Sequence, residues 1–221
     1  MTRLAIFDCD GTLVDSGATI YRALAESFDR HGLALPPPRE SRKVIGLSLT
    51  QAMAALVPEA NQHDHEELAE TYKQCFHRAR QTGLVEEPLF DGVLELLDTL
   101  EANGWLLAVA TGKSDRGLRF CLESHGLHAR FISLQTADRH PSKPSPAMAL
   151  AAMADAGANG ESTIVVGDTS YDMAMAVAAG ATGIGAGWGY HDTDELMAAG
   201  ARAVADEPGE VAAFAKEAIN G

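Results

Sequence analysis

Two aspartates separated by one residue, Asp8 and Asp10, follow the apolar run Leu4-Ala5-Ile6-Phe7 and stand just before Gly11-Thr12. Neighbouring carboxylates repel each other unless a cation or a shared proton relieves them. Such a pair therefore suits metal binding or proton transfer, while an Asp-Gly turn after a strand is the plainer reading of the same residues. Further along the chain, Thr111, Lys143, Asp168 and Asp172 offer a hydroxyl, a cation and two more carboxylates. Each has an ordinary alternative: Thr111 and Asp168 as turn residues, Lys143 as a solvated side chain, and Asp172 as the third residue of a capping box begun by Thr169. Taken together they fit a hard cation held by oxygen ligands. They equally fit a phosphoryl group held by a lysine and by backbone N–H donors at helix N-termini.

To act together these residues must be carried to one place. Leu4 to Phe7 reads as a strand buried on both faces, and period-two alternation aims Asp8 and Asp10 to one side with Cys9 opposite. From residue 89 onward strands and helices alternate. Strands are predicted at Trp105–Ala110, Phe131–Leu134, Thr163–Val166 and Ala181–Ile184, with a short one near Ala203-Val204. Helices are predicted over Gly92–Asn103, Ser114–His125, from Ser145-Pro146 onward, Ser170–Ala179, Asp194–Ala199 and on to Ile219. This rhythm predicts an α/β fold around a parallel sheet, with ligands at the C-terminal ends of central strands. Those are the positions of Asp8, Asp10, Thr111 and Asp168, and Lys143 arrives on a loop. Residues 16–82 contain no strand-like stretch. Helical spacing over Ser16–His31, Arg39–Ile45, Leu49–Leu56 and Asp64–Thr82 predicts a small all-helical unit inserted after the first strand, with Ser16 and Pro88 as neighbours at its hinge. The domains are thus 1–15 with 84–221, an α/β core, and 16–83, a helical insertion.

The chain of 221 residues, 46% hydrophobic and 22% charged, has the composition of a soluble globular protein. A formal charge of -14 argues against nucleic acid or an anionic membrane surface as partner. No apolar run approaches the roughly 20 residues of a membrane span, and an N-terminus that enters a strand directly leaves no room for a signal peptide. Three widely spaced cysteines, Cys9, Cys75 and Cys121, read as reduced thiols, so a cytoplasmic location is expected. A monomer and a homodimer both remain open.

Asp8-Cys9-Asp10-Gly11-Thr12 resembles the D-x-D-G-T signature of the haloacid dehalogenase (HAD) superfamily. Thr111, Lys143 within Ser142-Lys143-Pro144, and Gly167-Asp168-Thr169-Ser170-Tyr171-Asp172 resemble its other three motifs, in order and at similar spacing. The helical insertion is similar to the cap of the phosphoglycolate phosphatase-like and β-phosphoglucomutase-like branch. This resemblance implies a Rossmann-like core with a helical cap, and Mg²⁺-dependent phosphoryl transfer. By it, Asp8 is the nucleophile that becomes an aspartyl-phosphate, and Asp10 the acid and base. Asp8, the backbone carbonyl of Asp10, and Asp168 are implied as Mg²⁺ ligands, with Asp172 supporting directly or through water. Lys143, Thr111 and Gly112 are implied to hold the phosphate. Relatives often carry Asn where this chain has Gly112, a difference expected to remove one contact to the substrate.

Within the branch, Asp10 separates the chain from the dehalogenases, which lack it. Mutase-like relatives carry a His where this chain has Ile20, and an Arg after the cap's Gly-x-Ser turn where it has Leu49. Hydrolysis of a small phosphorylated metabolite, phosphoglycolate-like, is therefore expected. Sugar-phosphate mutation is the alternative, and a binding protein without turnover the second. Arg42, Lys43 and Gly46-Leu47-Ser48 are expected to reach the leaving group.

Overall fold

The computed structural model describes residues 2–220, with side chains through residue 218; Met1 and Gly221, the ends of the expected core, lie outside it. Strands β1 (Arg3–Phe7), β2 (Trp105–Thr111), β3 (Phe131–Thr136), β4 (Thr163–Gly167), β5 (Thr182–Ala186) and β6 (Ala203–Ala205) form one sheet in the order β3-β2-β1-β4-β5-β6. Every pairing is parallel. The chain steps one way from β1 to β2 and β3, then returns to β1's other side for β4. The crevice beyond β1 and β4 is thus a topological switch point, where such sheets bind ligands.

Both faces of β1 are buried. Ala5, Phe7 and Cys9 face a core shared with α5 (Val93–Ala102), α6 (Asp115–Ser124) and α10 (Pro208–Asn220). Leu4 and Ile6 face α7 (Ala147–Ala156) and α8 (Ser170–Ala178). Burial of Leu4, Ile6 and Phe7 contributes roughly 1.5–3 kcal/mol each, and a helix layer on both faces makes that possible for consecutive residues. Cys9 lies opposite Cys121 with 3.8 Å between sulfurs, inside this core. Its expected inward orientation is what the structure has. A six-residue helix, α9 (Thr193–Ala198), covers β5 and β6 through Leu196.

Helices α1 (Gly17–Arg30), α2 (Pro38–Arg42), α3 (Leu49–Leu56) and α4 (Gln62–Gln81) make up the segment between β1 and α5. Helices α1, α3 and α4 pack around their own apolar cluster of Leu24, Phe28, Met53, Leu68 and Ala69. The two strands of chain joining this helical block to the sheet run side by side: Asp15 N donates to Pro88 O at 2.8 Å, and Phe90 N to Leu13 O at 3.1 Å.

Several boundaries differ from the sequence reading. The helix expected over Arg39–Ile45 stops at Arg42 and continues as turns. Helix α4 begins two residues early, because Asn61 and Asp64 form a capping box. Helix α7 begins at Ala147, with Pro146 in the N-cap position in place of Ser145. Strand β3 runs two residues past Leu134, since Gln135 and Thr136 still pair with Ala110 and Thr111. Among the described residues, no helix is long and apolar enough to cross a membrane.

Candidate active site

Strand β1 ends at Phe7, so Asp8 is the first residue past it; its backbone N–H donates to Val166 O of β4 at 2.9 Å. The chain then turns tightly, with the N–H groups of Leu13 and Val14 both donating to Cys9 O. The two aspartates consequently leave strand geometry and acquire separate partners, which alternation had not foreseen. Asp8 Oδ1 accepts from Cys9 N at 2.7 Å and pairs with Lys143 Nζ at 3.0 Å. Asp10 accepts from the Ser16 hydroxyl and pairs with Lys113 Nζ at 2.8 Å.

Lys143 is fully buried and bridges Asp8 to Asp172, with 2.6 Å to Asp172 Oδ1. Asp172 Oδ2 accepts from the Thr169 N–H at 3.1 Å and its hydroxyl at 2.7 Å, so the anticipated capping interaction of α8 is present. That does not make Asp172 merely structural, because its other oxygen faces the lysine. Asp168 follows β4. Its oxygens accept from Thr12 Oγ1 at 2.8 Å and Tyr190 N at 3.0 Å. Asp8, Asp168 and Asp172 each offer an oxygen within 4.8 Å of the others, and all three are buried. Asp8 Oδ2 is the one buried carboxylate oxygen among the described residues without a hydrogen-bond partner.

Burial dominates the electrostatics. It pushes the Asp8 carboxyl up to about 7 against the pull of Lys143, with Asp172 and Asp10 adding to the rise. It also raises Asp168 well above the carboxylate range, with Asp8 and Asp172 contributing. For Lys143 burial acts downward, but Asp172 and Asp8 more than offset it and hold the ammonium above its ordinary value. Asp8, Asp168 and Asp172, grouped where one lysine pairs with two of them, carry buried negative charge that a bound proton or a further cation must relieve.

Glycines allow this crowding. Gly11 has φ +82, and a Cβ there would lie 2.1 Å from Asp168 Oδ2. At Gly112 a Cβ would meet the carbonyl oxygens of Leu47 and Gly46 at 2.5 and 2.8 Å. The Gly46-Leu47-Ser48 loop of the helical block therefore lies directly over the end of β2, and Ser48 N donates to Ser142 Oγ at 2.7 Å. Gly112 was expected to cost a substrate contact; here it makes room for that loop's backbone.

Thr111, at the end of β2, is buried beside the turn that carries Gly112 and Lys113. Gly46, Leu47 and Ser48 line a cavity of about 520 Å³ together with Asp10, Gly112 and Lys113. Arg42 and Lys43 are not brought to it. Arg42 borders a separate, small cavity of about 100 Å³ beside Gly17 and Tyr21. The Lys43 ammonium is drawn to Glu195 at 2.9 Å, and its carbonyl accepts from Tyr171 OH at 3.1 Å. Arg42 ends the short helix α2 and Lys43 caps it, and both are exposed.

The chain matches the haloacid dehalogenase-like hydrolase family over residues 5–186. It belongs to that family. This HAD-like hydrolase is 37% identical over 215 residues to a Dickeya dadantii protein named probable phosphatase IndB, across 96% of this chain and 92% of that one. It is 31% identical over 197 residues to a phosphoglycolate phosphatase of Agrobacterium fabrum, across 87% and 83% of the two chains. Its fold superposes on the crystal structure of a hydrolase from Pseudomonas syringae with a TM-score of 0.84 at 30% identity, covering 98% of this chain and 99% of that one.

Sequence reasoning placed Ser16 only at the hinge and did not single out Glu87 or Lys113. Lys113 is nearly buried and sits between Asp10 and Glu87, 2.6 Å from the latter. Its position two residues after Thr111, on the same strand-to-helix turn, was the available signal. Glu87 lies at the hinge and carried no signal of its own. The Gly187-Trp188-Gly189-Tyr190 segment reaches both the core and the acidic cluster. Trp188 packs on the core and donates to Thr12 O at 3.1 Å, while the Tyr190 N–H holds Asp168.

Proposed function

We propose that this HAD-like hydrolase is a phosphatase that cleaves a small phosphate monoester through an aspartyl-phosphate on Asp8, with residues 16–83 acting as its cap. The observation that carries the reading is Asp8 Oδ2, a buried carboxylate oxygen without a partner, on the residue whose other oxygen is clamped by Lys143 and Cys9 N. A buried orphan acceptor is costly unless something occupies it during function. Attack on phosphorus needs such an atom.

The donor set fits Mg²⁺, since it is all oxygen, buried, and negatively charged beyond what Lys143 offsets. Asp8, Asp168 and the backbone carbonyl of Asp10 would hold it, with Asp172 in support directly or through water. When bound, Mg²⁺ supplies the positive charge that makes an anionic phosphate tolerable beside these carboxylates.

In the first half-reaction Asp8 forms an O–P bond as the bond to the leaving oxygen breaks, and Asp10 gives that oxygen a proton. In the second, water attacks phosphorus, Asp10 takes the water's proton, and the bond from Asp8 to phosphorus breaks to release phosphate. Lys143 keeps Asp8 oriented and faces the phosphoryl oxygens, which Thr111 and the N–H groups of the turn after β2 also contact. The Ser16 hydroxyl and Lys113 hold Asp10 where it can serve both steps.

Phosphate release from p-nitrophenyl phosphate and 2-phosphoglycolate, measured with Mg²⁺ and with chelator, tests the reading. Release is expected with Mg²⁺ alone, and Asp8→Asn is expected to lose at least about 10³-fold in turnover while staying folded. A folded protein that releases no phosphate from any ester in Mg²⁺ would overturn it. Sugar-phosphate interconversion without phosphate release would favour the mutase alternative, which Ile20 and Leu49 in the cavity wall do not support.

A further inference from the structure

The wall of the 520 Å³ cavity opposite the sheet edge comes from α4 and from the start of α6. Part of its lining is apolar: Leu24, Met53, Leu56 and Tyr72 belong to one packed cluster, and the Phe76 ring lies 6.0 Å from that of Tyr72. Its far end is cationic. The Arg80 guanidinium carbon lies 4.3 Å from the ring centroid of Phe120 and 5.4 Å from that of Phe76, so two aromatic faces hold it. Lys113 Nζ lies 5.8 Å from the same Phe76 ring while pairing with Asp10. The Phe76 ring thus stands between Arg80 and the catalytic carboxylate's partner.

Two nitrogens of this wall, Arg80 Nε and His77 Nδ1, are buried and have no hydrogen-bond partner among the described residues. No ion pair of Arg80 exists there either. Burial, with Arg116 nearby, pulls the Arg80 pKa below its ordinary value, and Glu87 offsets this only in part. Of the acidic residues that border the cavity, Glu70 and Asp138 lie on its exposed rim and Asp10 is paired with Lys113. A guanidinium held between two aromatic rings, with Glu87 acting on it from beyond ion-pair distance, leaves several donors to offer an anion.

Cavity size bears on the same point. A water occupies about 30 Å³ of liquid, so the roughly five heavy atoms of a glycolate leaving group would fill on the order of a quarter of the space. We propose that the cavity selects a leaving group larger than glycolate, with an apolar or ring-shaped body against Leu24, Met53, Tyr72 and Phe76 and an anionic group, carboxylate or second phosphate, bound by Arg80 and His77. This rests on the phosphatase reading above and names its substrate class. Arg80 is a specificity residue and is not among the partners of Asp8 or Asp10, so chemistry at Asp8 does not depend on it.

Matched esters separate the two ideas. Phenyl phosphate, 4-carboxyphenyl phosphate and 1,4-phenylene bisphosphate differ in the group presented to Arg80. For each, kcat and KM are measured in wild type, Arg80→Gln and Arg80→Lys. Wild type is expected to prefer at least one anionic ester over phenyl phosphate by about tenfold or more in kcat/KM, and the ester preferred tells carboxylate from phosphate. In Arg80→Gln that preference should collapse through KM, and Arg80→Lys should restore part of it. An unchanged ratio of anionic to neutral ester in Arg80→Gln, or no preference in wild type, would overturn the proposal while leaving the phosphatase reading intact. If wild type releases phosphate from none of the three, nor from p-nitrophenyl phosphate, the phosphatase reading itself fails. Should Arg80→Gln melt far below wild type, Phe120→Leu, which loosens the guanidinium without removing it, is expected to weaken the same preference.

Discussion

At the sheet edge the charged groups come with assigned partners. Lys143 is shared by Asp8 and Asp172, Asp168 is held by Thr12 and Tyr190, and Asp10 by Ser16 and Lys113. One oxygen, Asp8 Oδ2, is left over. Across the cavity Arg80 is held between two rings, and Arg80 Nε and His77 Nδ1 have no hydrogen-bond partner among the described residues. The contrast indicates a division of labour. The phosphoryl end is built to one geometry by the parallel sheet and its glycines, and the helical wall is free to be shaped to a leaving group. Preorganised charge is what phosphoryl transfer demands of a site, and differences of affinity are what selectivity demands.

The contrast can be broken first at its rigid end. Lys143→Met should have the largest effect, since it leaves Asp8 and Asp172 buried and unpaired. We expect a loss of roughly 3–5 kcal/mol of stability in chelator by analogy with other broken buried pairs, together with a fall of at least about 10²-fold in phosphate release. Thermal melts and turnover measured on one preparation check both. Wild-type stability there would mean that the buried charges are satisfied by something else.

Next comes Gly112→Ala. Its new Cβ would meet backbone oxygens of Gly46 and Leu47, so the loop must lift and the bond from Ser48 N to Ser142 Oγ must lengthen. A fall of about tenfold in kcat/KM is expected, as misplacement by about 1 Å costs up to 10²-fold. Unchanged kinetics would show that the loop's seating is irrelevant to catalysis.

A smaller effect concerns pH. Because the folded Asp8 carboxyl sits at about 7, above its unfolded value, the folded metal-free protein binds the extra proton between about pH 4 and 7. The stability associated with that carboxyl is therefore present at low pH and lost as pH rises through 7. Mg²⁺ competes with this proton, so its stabilisation should be several degrees in Tm at pH 8 and less at pH 5.5. Melting curves across pH, with Mg²⁺ and with chelator, decide it; an equal Mg²⁺ shift at both values would contradict the assignment of Asp8 to the metal.

Least of all should Lys43→Ala matter. Its pair with Glu195 is half exposed, and such pairs contribute about 0–1 kcal/mol. A change of more than about threefold in kcat/KM would return Lys43 to the substrate site from which the structure removes it.

Much of the sheet edge was legible because its signals are local. An apolar run ending in Asp8, strand-to-helix turns at Thr111 and Asp168, and a lysine before a helix can each be read within a few residues. The helical wall was not legible. Arg80 in the last turn of α4 and Arg42 in α2 look alike as sequence, both being basic residues on amphipathic helices, and only packing sends one to the cavity and the other to the outer surface. Loop Gly46-Leu47-Ser48 was placed near the substrate by its resemblance to relatives, and the structure brings it to the cavity.

By itself, the sequence determined the parallel sheet, the inserted helical block, and which carboxylates and lysine meet at the switch point. The sheet and the block follow from period and burial, and the converging carboxylates and lysine from the strand ends together with the resemblance of their motifs to the HAD family. Tertiary structure alone decided how Asp8 and Asp10 are parted. The strand stops at Phe7, the Gly11 turn passes against Asp168, and each aspartate meets a different lysine, Lys143 from the loop before α7 and Lys113 from the turn after β2. Residues 135 and 103 positions away have no local signature, because their contact depends on strands brought together by the sheet.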